Sequence, residues 1–138
     1  MSHLFFECKS LKSLKSLNLS SFNTKNVVYM HGMFSGCESL INLEILNFDT
    51  QNVAVMSKMF FGCKSLKSLD VSNFITNKVE YMNSMFYGCG SLSFLNIANF
   101  IVDKVISMSD IFTGCISLKM NNLICKNKVQ LYQRLKTK

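Results

Sequence analysis

The chain has 138 residues, of which 49% are hydrophobic and 17% are charged. This composition excludes an intrinsically disordered chain, and the length is that of one domain with a real hydrophobic core. No apolar run approaches the roughly 20 residues that a membrane-spanning helix requires, and the first residues lack the basic and apolar regions of a secretory signal peptide. We therefore expect no insertion into a membrane.

The net charge of +7 is concentrated at the C-terminal end. Residues 1–118 contain nine lysines and eight acidic residues, whereas residues 119–138 contain six basic residues and no acid. A solvated polar end is the plainest interpretation, and a weak contact of residues 126–138 with an anionic surface is the alternative. The aromatic residues follow core periodicity and are not interleaved with basic ones, so we do not expect nucleic-acid binding.

A 26-residue period organises the sequence. Cys37, Cys63, Cys89 and Cys115 recur at this interval, and each is followed two and three positions later by Ser-Leu. Such self-similarity is the signature of a repeat protein whose units bury their apolar faces against one another. We expect a repeat solenoid over residues 1–128, with a partial unit at 1–24 and full units at 25–50, 51–76, 77–102 and 103–128. A basic C-terminal cap or tail follows at 129–138.

The first, partial unit is irregular. Residues 1–8 align without a gap on residues 56–63, so the chain is expected to begin inside a repeat without an N-terminal cap. Three extra residues lie between Cys8 and Phe22, which predicts a bulge in the first turn.

Each full unit is predicted to contain one short helix and one short strand. The apolar residues of the first half fall at i, i+3, i+6, i+7 and i+10, the face of a helix; in one unit these are Val79, Met82, Met85, Phe86 and Cys89. A glycine before each cysteine suits a helix end with positive φ. The following Leu66-x-x-Leu69-x-Val71 has the alternation of a strand.

The fold class that these elements predict is an α/β, leucine-rich-repeat-like solenoid, with 26-residue strand-helix units stacked in one right-handed coil. One phenylalanine recurs after each strand and is expected to form a buried, stacked column. Its members are Phe22, Phe48, Phe74 and Phe100. In the last unit the strict register puts Asn121 and Lys126 where leucine and phenylalanine stand elsewhere, so the stack is expected to decay there. Residues 127–136 keep helical spacing and are predicted to close the open end.

The unit Asn-Val-x-x-Met-x-x-Met-Phe-x-Gly-Cys-x-Ser-Leu-x-x-Leu, as in residues 52–69, resembles the repeat of BspA-like leucine-rich repeat surface proteins, also known from mycoplasma lipoprotein-associated repeats. Its Met-Phe-x-Gly-Cys-x-Ser-Leu core is intact in three units, and Ile111 replaces methionine in the fourth. The resemblance implies a solenoid that is secreted or on the cell surface and takes part in adhesion or protein binding. A host or matrix protein is the partner that it suggests.

The cysteines are expected to stack as a ladder of buried, reduced thiols, because ladder side chains point in parallel and do not face one another as a disulfide requires. Cys125 lies off the ladder and is predicted to be the most reactive thiol. A line of single cysteines does not provide a tetrahedral metal site. No nucleophile–base pair, paired carboxylates or phosphate loop recurs, so we expect neither a cofactor nor an enzyme.

The strand face is the candidate binding surface, because repeat stacks of this kind present such a face to partners. One polar residue per unit lies between the two inward strand residues, and an increasingly apolar column runs beside this stripe. The candidate residues are Asn18, Glu44, Asp70, Asn96, Phe94 and Met120. An ordinary solvated face is the competing interpretation.

Three hypotheses on function remain open at this point. The first is a surface-type repeat protein with a binding face for protein–protein interaction or adhesion. The second is an intracellular, cytoplasmic interaction scaffold with the same fold, since the chain shows no export signal. The third is a truncated piece of a longer array without an independent role. The ligand, the redox state of the thiols and the oligomeric state do not follow from the sequence.

Overall fold

The computed structural model describes residues 15–136 of the chain, and the side chains only as far as residue 133. The predicted bulge after Cys8 and the expected uncapped start at residues 1–8 lie outside the described residues.

Short parallel strands stack one above the other. They are β1 (Ser16–Asn18), β2 (Asn42–Glu44), β3 (Ser68–Asp70), β4 (Phe94–Asn96) and β5 (Leu123–Ile124). β1 pairs with β2, and β3, β4 and β5 form a second sheet. The register of Leu17 on Leu43, and of Leu69 on Leu95, is the 26-residue interval of the sequence. Each of these repeats therefore adds one strand to the stack at the same register. The division into units and the right-handed sense of the coil stay predictions.

The predicted helix in each unit is wrong. The segment consists of consecutive turns, and its amides alternate between two kinds of acceptor. In one unit the amides of Met56 and Phe60 donate to the carbonyls of Tyr81 and Met85 in the next unit, whereas Met59 donates to Met56 three residues back. Lys58, which lies between them, has a φ of 56°, which an α-helix does not allow.

The physical reason is that these amides stabilise the contact between units, whereas in an α-helix they would be used inside the segment. Successive three-residue turns repeat the spacing of one helical turn, so the apolar pattern fits both structures. The predicted positive φ of the glycines is confirmed, although no helix ends at them. The four residues are Gly36, Gly62, Gly88 and Gly114.

Two aromatic columns fill the interior. Of the four phenylalanines predicted to form a buried column, Phe48 and Phe74 stack at 6.5 Å between ring centroids, and Phe100 is buried. Phe22 is exposed, so the prediction is wrong for this residue. The second column contains three stacked pairs 5.5–5.7 Å apart, formed by Phe34, Phe60, Phe86 and Phe112. Buried methionine, leucine and valine side chains complete the core around them.

A threonine ladder holds neighbouring units together. The buried hydroxyl of Thr50 donates to the carbonyl of Ile75 and accepts from the amide of the same residue, at 3.1 and 2.7 Å. Thr24 and Thr76 repeat both bonds 26 residues away. Each hydroxyl thereby satisfies two backbone groups of the following unit.

The last unit does not decay as predicted but shifts by two residues. A 3₁₀ turn at Met120–Asn122 accommodates the extra length, and Leu95 then pairs with Leu123 and Asn96 with Ile124. Strict periodicity would have placed Asn121 in the core, whereas the shift buries Leu123. The gain from burying a leucine while leaving an asparagine in water accounts for the shift.

The predicted capping helix is present as α1 (Lys128–Lys136). Leu131 is its buried residue, whereas Val129 is exposed. In the part of the chain that the structure describes, no helix is long and apolar enough to cross a membrane.

Candidate binding faces

The predicted polar stripe on the strand face is already engaged in contacts between units. Asn18 Nδ2 donates to Glu44 Oε2 at 2.6 Å, and Asn96 Nδ2 donates to Asp70 Oδ2 at 3.1 Å. Each pair joins an amide to a carboxylate on the neighbouring strand, a charge-assisted hydrogen bond. The structure thus brings these four residues together as two pairs that stabilise the stack.

The same side chains also close the turn that follows each strand. Asn18, Asp70 and Asn96 each accept a hydrogen bond from the amide two residues later. Partial burial raises the pKa of the Asp70 carboxyl, but the hydrogen bonds from Ser72 and Asn96 outweigh it and hold the pKa below its ordinary value of 3.8. The stripe therefore has a structural role that periodicity alone did not reveal.

Phe94 and Met120 are exposed, as expected for a binding face, but they are not members of one column. Because the last unit is shifted by two residues, Met120 lies on the 3₁₀ turn and not on a strand. Its sulfur accepts a hydrogen bond from the Tyr132 hydroxyl at 2.6 Å. The predicted continuation of the apolar column from Phe94 to Met120 is therefore wrong.

A second face carries a more continuous apolar surface. Tyr29, Val55, Tyr81 and Ser107 pair in parallel from unit to unit as single β-bridges. Residues directly before them form an adjacent column of Val28, Ala54, Glu80 and Ile106. We call the five residues Val28, Tyr29, Val55, Tyr81 and Ile106 the bridge patch.

The bridge patch exposes large side chains that the core does not need. Tyr29 is 57% exposed and Ile106 is 68% exposed, and Val28 and Tyr81 also belong to the exposed class. Exposed large apolar and tyrosine side chains on adjacent units are typical of an interaction site. Sequence reasoning missed it because these positions vary between units; their two tyrosines and three branched aliphatic residues were the available signal.

The cysteine ladder is internal. Cys63 and Cys89 are buried and unbridged, and their sulfurs donate to the carbonyls of Phe34 and Phe60 at 3.2 and 3.1 Å. Burial, first of all, raises the pKa of the Cys63 thiol. Half-buried Cys115 has a lowered pKa because its sulfur is hydrogen-bonded to Cys89. That Cys125 is the most reactive thiol stays a prediction.

Within residues 15–133, no three His, Cys, Asp or Glu side chains come together in a group that could hold a metal ion.

Residues 1–125 match the model of a family described as Mycoplasma protein of unknown function, DUF285. No sequence among curated proteins matches the chain.

Comparison with solved structures gives two leucine-rich repeat proteins. A leucine rich cell surface protein from Faecalibacterium prausnitzii superposes with a TM-score of 0.51 and 21% sequence identity, over 78% of this chain and 25% of that one. A leucine rich repeat protein of T. pallidum has a TM-score of 0.41 and 16% identity, over 99% of this chain and 76% of that one. The chain thus spans about a quarter of the first protein, and that likeness shows a leucine-rich-repeat fold.

Proposed function

Because this chain belongs to the DUF285 family of Mycoplasma proteins and has the fold of leucine-rich repeat proteins, we propose that it is an interaction module that binds another protein. The observation that carries the proposal is the bridge patch. Its exposed tyrosine and aliphatic side chains lie on adjacent repeats, so a partner can contact several of them at once. Tyrosine is also enriched in protein–protein interfaces, where it supplies a large contact area at low entropic cost.

The strand face is the second candidate surface. Phe94 is exposed there beside the paired side chains of Asp70 and Asn96. The hydrogen bonds within the stripe weigh against it, since a partner would have to compete with them.

The test is a pull-down with variants that copy another unit of the same chain. Tyr81→Ser reproduces Ser107, and Ile106→Glu reproduces Glu80, so the backbone already accommodates both residues at these positions. We expect the double variant to lose most of the bound partner. The double variant Asp70→Asn, Glu44→Gln is the matched change on the strand face. If the bridge-patch variant still bound the partner and the strand-face variant did not, binding would be assigned to the strand face instead.

For location we propose the cell surface, and adhesion as the role, in keeping with the BspA-like type of the repeat. The support is the resemblance in sequence and the similarity in fold to a leucine rich cell surface protein. Surface labelling of intact cells with a membrane-impermeant amine reagent is the measurement. Labelling of the exposed lysines is expected, and protection until the cells are lysed would favour the intracellular scaffold.

A further inference from the structure

The stack of strands is interrupted between β2 and β3. β1 pairs with β2, and β3 pairs with β4, whereas β2 and β3 belong to different sheets. The amide of Leu19, directly after β1, donates to the carbonyl of Glu44 at 3.0 Å. Within the described residues, the amide of Ile45 makes no equivalent bond to the carbonyl of Asp70. The hydrogen bonds between neighbouring strands are therefore missing at this level of the stack.

The interruption coincides with two like charges. In the paired strands an amide side chain contacts a carboxylate, Asn18 with Glu44 and Asn96 with Asp70. Between β2 and β3, by contrast, the carboxylates of Glu44 and Asp70 occupy the same position of two neighbouring strands. Like charges directly opposite each other destabilise strand pairing, which accounts for the opening.

A pocket of about 260 Å³ lies at this opening. It is smaller than the roughly 300–1,000 Å³ of sites for drug-sized ligands, and it suits a single side chain. Lys67 directly precedes β3 but does not belong to the lining. The lining consists of two carboxylates, two other polar side chains and two leucines, with no basic residue: Asn42, Leu43, Glu44, Leu46, Ser68 and Asp70. This charge is complementary to a cation.

Both carboxylates can accept further hydrogen bonds. Glu44 Oε2 accepts from Asn18, whereas Oε1 accepts none from the described residues. Each oxygen of Asp70 accepts one hydrogen bond, and an ionised carboxylate has about four acceptor positions. A donor can therefore be added here without displacing the bonds of the stripe, so the competition that weighs against the strand face as a whole does not apply to this pocket.

Leu46 provides apolar surface beside the carboxylates. It is 56% exposed, and Ser20 and Ser72 occupy the same position in neighbouring units, so the repeat does not require a leucine there. An arginine side chain combines an aliphatic stem, which can cover a leucine, with a planar guanidinium whose five N–H donors can bridge two carboxylates. The ammonium of lysine is a point charge without this planar fork.

We propose that this pocket binds an arginine side chain of a partner protein, with the guanidinium between Glu44 and Asp70 and the aliphatic stem on Leu46. The inference rests on the proposed function as a protein-binding module, and it adds a second contact outside the bridge patch. The carboxylates select for the guanidinium, and Leu46 adds affinity by burial.

The probe is a short Gly/Ser peptide with one central arginine, acetylated and amidated so that its termini carry no charge. It is titrated at low salt into the ¹⁵N-labelled full chain and followed by chemical shifts. We expect saturable shifts at the amides of residues 42–46 and 68–72. Replacing the arginine of the peptide by glutamine is expected to weaken binding at least tenfold. A lysine peptide should have intermediate affinity, because it keeps the charge but lacks the planar fork.

A double variant of the chain removes both carboxylates. Glu44→Asn, Asp70→Asn copies Asn18 and Asn96, which occupy the same position in other units, so it is expected to fold. The dispersion of its spectrum checks this. It should bind the arginine peptide at least tenfold more weakly. Glu80→Gln removes one negative charge outside the pocket and is the matched control, whose affinity should be unchanged.

A variant at Leu46 tests the contact with the aliphatic stem. Leu46→Ser copies Ser20 and Ser72 and is likewise expected to fold. It should weaken binding of the arginine peptide about threefold to tenfold, because less apolar surface is buried. Affinity for the lysine peptide should fall as well, since its stem is also aliphatic.

Three results would overturn the proposal. They are equal affinity for the arginine and glutamine peptides, unchanged binding by the folded double variant, and shifts that map outside the pocket. Calcium chloride without peptide provides the cation arm: if calcium, but not the arginine peptide, shifts residues 42–46 and 68–72, the pocket is a metal site and the proposal is wrong.

The bridge-patch variant separates this proposal from the proposed function. Tyr81→Ser, Ile106→Glu should bind the arginine peptide like the unchanged chain, because neither residue lines the pocket. If this variant lost the partner in the pull-down but kept the peptide, both proposals would hold. If the unchanged chain bound the partner through the bridge patch but did not bind the peptide, only the arginine pocket would be wrong.

Discussion

The buried threonines show how a single hydroxyl stabilises contact between repeats. Thr50 is 1% exposed and satisfies both the amide and the carbonyl of Ile75. Removing the hydroxyl leaves two backbone groups without a partner inside the protein, and each such group costs about 1–3 kcal/mol. Val102 stands at this position in the last unit, so the shape of valine is acceptable there.

Thr50→Val is therefore expected to fold and to lower the free energy of unfolding by about 2 kcal/mol. Urea denaturation followed by circular dichroism is the measurement. Thr50→Ser keeps the hydroxyl and is the control; its free energy of unfolding should fall less than that of Thr50→Val. Equal stability of the valine and serine variants would show that the ladder contributes nothing.

Asp70 links stability to pH. Its folded pKa lies below the ordinary value of 3.8, because hydrogen bonds from Ser72 and Asn96 favour the carboxylate despite partial burial. A depressed carboxyl pKa contributes stability that is present above about pH 4 and is lost as the pH falls through the folded value. Asp70→Asn is expected to remove this part of the acid sensitivity.

Urea midpoints of the unchanged chain and of Asp70→Asn, measured from pH 7 to pH 3, test this expectation. The difference between the urea midpoints of the unchanged chain and of Asp70→Asn should become smaller below about pH 4. Glu80→Gln controls for the loss of one negative charge. If the difference between the two urea midpoints stayed constant from pH 7 to pH 3, the Asp70 carboxylate would not be the source of the acid sensitivity.

At the scale of the element, the turn segment depends on close stacking of glycines. Gly62, Gly88 and Gly114 lie above one another, and each has positive φ. A Cβ on Gly114 would lie 3.1 Å from Gly88 Cα, whereas a Cβ on Gly62 would lie no closer than 4.0 Å to Gly36. The two positions therefore share the cost of the left-handed conformation but differ in the space available.

Gly62→Ala is expected to lower stability by about 1–2 kcal/mol through the left-handed conformation alone. Gly114→Ala should cost roughly 1–3 kcal/mol more, because its methyl group meets backbone. Gly90→Ala, whose Cβ meets only Gly114 O at 4.0 Å, is the matched control and should be close to neutral. Chemical denaturation measures all three, and the same loss in Gly62→Ala and Gly114→Ala would exclude the packing effect.

The turn segment also explains why its secondary structure could not be predicted. The spacing of Met56, Met59, Phe60 and Cys63 correctly indicates which side chains are buried. Whether the amides bond within the segment or to the next unit depends on a neighbour 25 residues away. Local sequence propensity does not report on a hydrogen-bond partner 25 residues away, so the apolar spacing alone predicted a helix.

At the scale of the whole molecule, stability is expected to vary along the stack. Middle units are covered on both sides, while the last unit is covered by α1 through Leu131, which is 3% exposed. Repeat stacks unfold from their ends when a terminal cap is lost, because each unit contacts only its neighbours.

Leu131→Asp is therefore expected to release α1 and to accelerate amide hydrogen exchange in residues 103–126 by at least tenfold, about 1.4 kcal/mol of local stability. Residues 51–76 should keep their protection. Val129→Asp, at a position of the same helix that is 68% exposed, is the control and should leave exchange unchanged. Uniform acceleration along the chain would indicate one cooperative unit instead.

Much of the architecture follows from the sequence alone. The period of 26, the buried Phe48–Phe74 column, the positive φ of the four glycines and the terminal helix were all predictable. Each of these features depends on which residues must be buried or must adopt a special backbone conformation. The same residues recur in the full units, so the pattern is visible in the sequence. The positions of β1 to β4 were predictable for the same reason, whereas β5 lies two residues beyond the position that the period predicts.

Only the tertiary structure decided how neighbouring units share their hydrogen bonds and which outer residues remain exposed. It turned the expected helix into stacked turns, moved Leu123 into the place of Asn121, and engaged Asp70 and Asn96 with each other. The bridge patch arises in the same way, from columns whose members are far apart in sequence. These features depend on contacts between units, and such contacts exist only once the chain has stacked on itself.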